Sequence, residues 1–95
     1  MKIATFNVNS IRARLPIVVD WLRANAPDVL AVQETKVQDP DFPGEAFDEI
    51  GYRYVFRGQK SYNGVALFSL HTIDDVEFGF GDEPKDEPRL LKASV

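Results

Sequence analysis

The chain has 95 residues, 44% hydrophobic and 27% charged, with no cysteine and a single histidine. This composition excludes a disulfide framework, a thiolate nucleophile, a cysteine zinc cluster and any HExxH centre, and a lone domain this short buries only roughly 60 to 65% of its unfolded surface. The net charge of −4 is local: residues 74–87 hold seven acids and Lys85, or −6, leaving eight acids and ten bases, or +2, elsewhere, so a polyanionic partner stays open.

Residues 2–8, KIATFNV, and 28–33, DVLAVQ, are short apolar runs rich in strand formers, and both are expected as buried strands. Between them, SIRARLPIVVDWLRANAP places Leu15, Val18, Val19, Leu22 and Ala26 on one helical stripe, with Asp20 and Arg23 on the other side. Ser10 is the expected N-cap, Pro16 belongs in a first turn, and Pro27 stops the helix. A strand, a helix and a strand within about 33 residues predict a right-handed βαβ unit with parallel strands roughly 4.8 Å apart. Open α/β sheets bind ligands beyond the carboxyl ends of such strands, so Asn7 and Glu34, each ending one strand, are expected to converge.

The stretch VQDPDFPGEAF has the composition of a loop and leads into a short helical turn near residues 45–49. After it, YRYVFRG, GVALFSL and DDVEFGF read as strands, with turn signals at GQKSYNG and near His71 and Thr72. A meander of antiparallel strands is expected, which makes the sheet mixed. The last stretch, RLLKASV, is strand-like and reaches Val95 without a turn or polar tail, so a truncated chain is expected. No repeat or linker divides the sequence, and residues 1–95 read as the N-terminal portion of one domain. The N-terminus has no signal-peptide pattern and no apolar run approaches the roughly 20 residues of a membrane span, so the cytoplasm is the default location.

Other chemistries are absent from the pattern. There is no GxxxxGK[ST], and Gly79 and Gly81 in FGFGDEP lack the third glycine of a dinucleotide loop. The acidic segment Asp74 to Glu87 lacks the calcium-loop register and reads as a solvated loop, while His71 reads as an ordinary surface or turn residue. An oxygen-ligand metal site is what remains.

Taken together, FNVNSIRAR, PDVLAVQETK, GYRYVFRGQKSYNGVALFS and GFGDEP with RLLKASV resemble the exonuclease III type of abasic-site endonuclease, in the endonuclease/exonuclease/phosphatase superfamily. The resemblance spans the whole chain. It implies an α/β fold, the first part of a four-layer α/β sandwich. It also implies a DNA repair nuclease dependent on Mg²⁺ or Mn²⁺, acting as a 5′ AP endonuclease and a 3′ to 5′ exonuclease on duplex DNA. By the resemblance Glu34 is a ligand of the metal, and Asn7 lies beside it, helping to hold the ion and the scissile phosphate. One carboxylate supported by an amide suits Mg²⁺, which takes one or two protein carboxylates and keeps its waters. The plain alternatives are a surface carboxylate at Glu34 and a helix-capping turn former at Asn7.

Phosphate contacts are expected from Arg12, Arg14, Lys36, Lys60 and Arg89, and contacts to the DNA backbone or groove from Tyr62 and Asn63, whose alternative is an exposed hairpin tip. Arg53 and Arg57 are expected to decorate a sheet face. Asn9 stands where some family members carry an acid. The family's later Tyr, Asp-x-Asn and Asp-His elements do not occur within residues 1–95, so this length alone is expected to be poorly folded and inactive. The implied partner is duplex DNA with abasic sites or 3′ ends, with no membrane and a monomer at full length. Two other readings keep the fold: a phosphodiesterase for an inositol phosphate, a sphingolipid or RNA, and a non-catalytic regulatory protein associated with RNA.

Overall fold

The computed structural model describes residues 1–58, 63–78 and 91–94. In chain order it contains β1 (Ile3–Asn7), α1 (Leu15–Asn25), β2 (Val29–Gln33), a 3-10 turn (Asp39–Asp41), α2 (Gly44–Asp48), β3 (Arg53–Arg57), β4 (Val65–Ser69), β5 (Asp74–Phe78) and β6 (Leu91–Ser94). The expected βαβ unit is present: β1 and β2 pair in parallel, with Asn7 opposite Gln33. β4 pairs antiparallel with both β2 and β3, giving the order β1-β2-β4-β3 and the mixed sheet read from the sequence. Val65 lies opposite both Gln33 and Arg57. The ends of β1, β2 and β3 and the start of β4 therefore share one edge of the sheet.

The expected meander stops after β4. That strand already has hydrogen-bonded neighbours on both sides, so it offers no free edge to β5. β5 instead pairs antiparallel with β6 in a second, two-stranded sheet, with a register irregularity between Asp74 and Glu77. β6 runs close to β4.

β1 also departs from expectation. β2 and β4 are largely buried, but β1 is an edge strand and mostly exposed, with Ile3 68% and Phe6 42% accessible. Among the described residues it has a neighbour on one side only, and an open apolar groove lined by Ala4, Phe6, Ile17, Trp21 and Leu30 runs between β1 and α1.

The helical stripe holds in part. Val18 and Leu22 are buried and Leu15 and Val19 pack against the core. Ala26 is exposed, because it is the left-handed C-cap (φ 43°) and its N–H bonds the Leu22 carbonyl at 2.9 Å. Ser10 does not cap α1. Its Oγ accepts the Ala13 N–H at 3.2 Å and its carbonyl the Arg14 N–H at 3.1 Å, closing a separate turn before the helix. Regular helix begins at Leu15, which leaves Pro16 in the first turn, where its missing N–H costs nothing.

The core lies between α1, α2 and the sheet. Phe47 and Phe68, both fully buried, stack with ring centroids 4.2 Å apart, and Phe42 stacks on Phe56 at 4.0 Å. Val8, Ile11, Leu22, Leu30 and Val32 belong to the same buried cluster, and each large side chain removed from water contributes on the order of 1.5–3 kcal/mol. The Tyr52 hydroxyl donates to the Pro27 carbonyl at 2.7 Å inside this layer, and burial pushes its phenol above the ordinary range. Among the described residues no helix is long and apolar enough to cross a membrane.

Candidate functional site

The shared sheet edge is built by three loops: after β1, after β2 and before β4. Ladder bonding continues past the strands, with the Val8 N–H on the Gln33 carbonyl (3.0 Å), Ser10 on Glu34 (2.8 Å) and Ile11 on Thr35 (2.9 Å). The third loop joins from the other side, with the Thr35 N–H on the Gly64 carbonyl (3.3 Å) and Lys36 on Asn63 (2.8 Å). Thr35 is 1% exposed. Gly64 has φ +96°, and a Cβ there would run into Thr35 Oγ1, so only glycine lets the third loop approach this closely.

Positive φ concentrates at this edge. Asn9 (48°), Ser10 (92°), Glu34 (56°), Lys36 (56°) and Asn63 (59°) all have it; elsewhere, among described non-glycine residues, only Ala26 and Asp75 do. Asparagine tolerates the left-handed region, but for Glu, Lys and Ser it costs roughly 1–2 kcal/mol per residue. The interloop hydrogen bonds hold these residues there, and strain of this kind collects at functional sites.

The sequence expectation that Asn7 and Glu34 converge is met. Asn7 Nδ2 donates to Glu34 Oε2, and Asn7 Oδ1 accepts the Asn9 N–H at 3.2 Å. Both ends of the Asn7 amide are thus engaged, and the side chain fixes the orientation of the carboxylate. The other oxygen, Glu34 Oε1, lies 3.7 Å from Lys36 Nζ, which also donates to Asn9 Oδ1. The Glu34 side chain is 44% exposed and that of Lys36 29%, so the pair is open to solvent on one side.

Arg12 and Arg14 are exposed on the turn that follows β1, which the Ile11–Thr35 bond ties to this edge. Asn63 stands in the loop before β4, its carbonyl accepting from Lys36. Lys60, Tyr62 and Arg89 lie outside the described residues. Arg53 is exposed at the far end of β3, whereas half-buried Arg57 ends β3 at the same edge as Glu34, and not simply on a sheet face. Only the pairing register of β3 with β4 reveals that placement. His71 is exposed, as read from the sequence, and faces Asp28 at 2.8 Å beside the start of β2, the opposite edge of the sheet.

The donors around Asn7 are hard oxygens: the Glu34 carboxylate with amide oxygens beside it. Among the described residues no group of three or more His, Cys, Asp or Glu could hold an ion. An all-protein cage is therefore not what these residues form. A hard divalent ion that keeps most of its waters fits one exposed carboxylate oxygen.

A model of the endonuclease/exonuclease/phosphatase family matches residues 4–93. The chain is 34% identical to the exodeoxyribonuclease III of Haemophilus influenzae over 96 aligned positions, covering all of this chain and 36% of that protein. It superposes on an AP endonuclease from Archaeoglobus fulgidus with a TM-score of 0.95 and 57% identity, covering all of this chain and 37% of the other. The 3′ phosphatase NExo from Neisseria, bound to a product DNA hairpin, gives a TM-score of 0.94 and 45% identity, with 100% and 37% covered. The chain thus spans little more than a third of the length of these relatives. Matched by its family model almost from end to end, with Asn7 and Glu34 brought together at the carboxyl edge of paired parallel strands, the chain belongs to the endonuclease/exonuclease/phosphatase family.

Proposed function

We propose that the protein, at full length, is a metal-dependent DNA repair nuclease that hydrolyses phosphodiester bonds, as a 5′ AP endonuclease and as a 3′ to 5′ exonuclease on duplex DNA. The observation that carries this reading is the Asn7–Glu34 pair at the carboxyl edge, in a chain 57% identical to an AP endonuclease. Glu34 would hold Mg²⁺ or Mn²⁺ through its exposed carboxylate, and Asn7 would keep that carboxylate oriented. When bound, such an ion stabilises charge developing on phosphate oxygens and on the leaving oxygen.

The chain's own residues bind and orient. Arg12, Arg14 and Lys36 supply positive charge at the rim, and Asn63 supplies an amide. These suit phosphate and sugar contacts, which position a duplex without reading its sequence. Lys60, Tyr62 and Arg89 keep the same proposed role on sequence grounds. The acidic segment does not oppose this, since the remainder of the chain carries +2.

The test offers the intact protein an abasic duplex, RNA, an inositol phosphate and a sphingolipid at equal Mg²⁺. Incision of the abasic duplex is expected, stopping when EDTA is added. Preference for the lipid or the inositol phosphate would overturn the DNA reading. Binding of nucleic acid that survives EDTA, with no metal-dependent cleavage, would point instead to a non-catalytic binding module.

A further inference from the structure

The two oxygens of Glu34 face different partners. Oε2 is taken by the Asn7 amide, and Oε1, the oxygen left for a cation, faces the Lys36 ammonium at 3.7 Å. That ammonium is not a loosely swinging surface charge. Its residue is fixed in the left-handed region with φ 56°, and its N–H is bonded to the Asn63 carbonyl at 2.8 Å. It follows buried Thr35, and its Nζ donates to Asn9 Oδ1. Position 9 is an amide, so among the described residues the ammonium faces one carboxylate, Glu34, and the local charge of that pair is zero.

We propose that Lys36 is a positioning residue that couples cation binding to phosphate binding. The inference rests on the metal reading of Glu34. In the free protein the Lys36 ammonium neutralises Glu34 and repels a second cation approaching Oε1, which keeps divalent-ion affinity low. A phosphodiester at this edge gives the ammonium a second anionic partner and relieves that repulsion. By linkage, a phosphate-bearing duplex tightens the ion and the ion tightens the duplex by the same factor. The ion is then held firmly only where there is a phosphate to act upon.

The experiment measures Mn²⁺ affinity of the intact protein by electron paramagnetic resonance of free Mn²⁺. It is run alone and with a hydrolysis-resistant phosphorothioate duplex, with Mn²⁺ bound by the duplex itself subtracted. The wild type is expected to bind Mn²⁺ weakly and to tighten about 10-fold with duplex. Lys36→Met should bind about 10-fold more tightly without duplex and gain little from it, whereas Lys36→Arg, which keeps the charge, should behave as wild type. Wild-type affinity in Lys36→Met, with binding abolished in Glu34→Gln, overturns the Lys36 proposal and leaves the metal reading standing. Unchanged Mn²⁺ binding in Glu34→Gln overturns the metal reading itself. If Lys36→Met fails to fold, Lys36→Gln replaces it with the same expected result.

Discussion

Glu34, Thr35 and Lys36 turn alternately outward, inward and outward at the end of β2, and both outward residues have φ 56°. The inward threonine is what sets them, because it is clamped against Gly64 by a backbone bond and by the absence of a Cβ. Gly64→Ala should therefore destabilise the intact protein by about 1–3 kcal/mol, from left-handed strain and the collision with Thr35. A shift in urea midpoint at unchanged slope would register it, and an unshifted midpoint would show that the third loop is not seated as described. At this scale Asn7 and Glu34 were legible in the sequence, since each stands where an apolar run gives way to polar residues. The Lys36–Asn9 contact was not, because it depends on left-handed backbone at both residues, and nothing in the types Lys and Asn announces that for Lys. Arg57 escaped for another reason: its place depends on which residue of β4 it faces.

Among the elements, the β1-α1-β2 unit was readable because apolar period and length changed clearly from strand to helix and back. The position of β4 between β2 and β3 was not, and with it went the fate of β5, which is decided by edge occupancy and not by local pattern. The opposite, amino edge of the same sheet has its own tie. Asp28 accepts the Lys2 N–H at 2.7 Å through Oδ2 and faces His71 Nε2 at 2.8 Å through Oδ1. The Lys2 hydrogen bond first, and then the His71 contact, hold its carboxyl below the ordinary aspartate range. A lowered folded-state value means stabilisation that is fully present above the ordinary value, about 4. It is lost as pH falls through the lowered one. In Asp28→Asn the urea midpoint should lie below wild type at pH 7, and the gap should close as both are acidified towards pH 2. A gap of constant size across that range would show that the carboxylate charge is not what ties this edge.

At the scale of the molecule, the described residues leave one apolar face uncovered. Ile3, Phe6, Ile17 and Trp21 remain exposed along β1 and α1, an apolar face of a kind that is ordinarily covered. The chain matches little more than a third of the length of its relatives, and the later acidic and histidine elements implied by the resemblance are not in residues 1–95. Four strands in one sheet and two in another, among the described residues, do not by themselves specify a four-layer sandwich, which the resemblance implies and periodicity does not. What these residues do specify is one carboxylate, held by an asparagine and faced by a lysine, at the carboxyl edge of paired parallel strands. The most direct test is the rate at which the intact protein nicks an abasic duplex in Mg²⁺ when Glu34 is replaced by Gln, an uncharged residue of nearly the same shape. A fall on the order of 10²-fold or more, with thermal unfolding unchanged, is the predicted result for loss of a central electrostatic element. Nicking at the wild-type rate would contradict it.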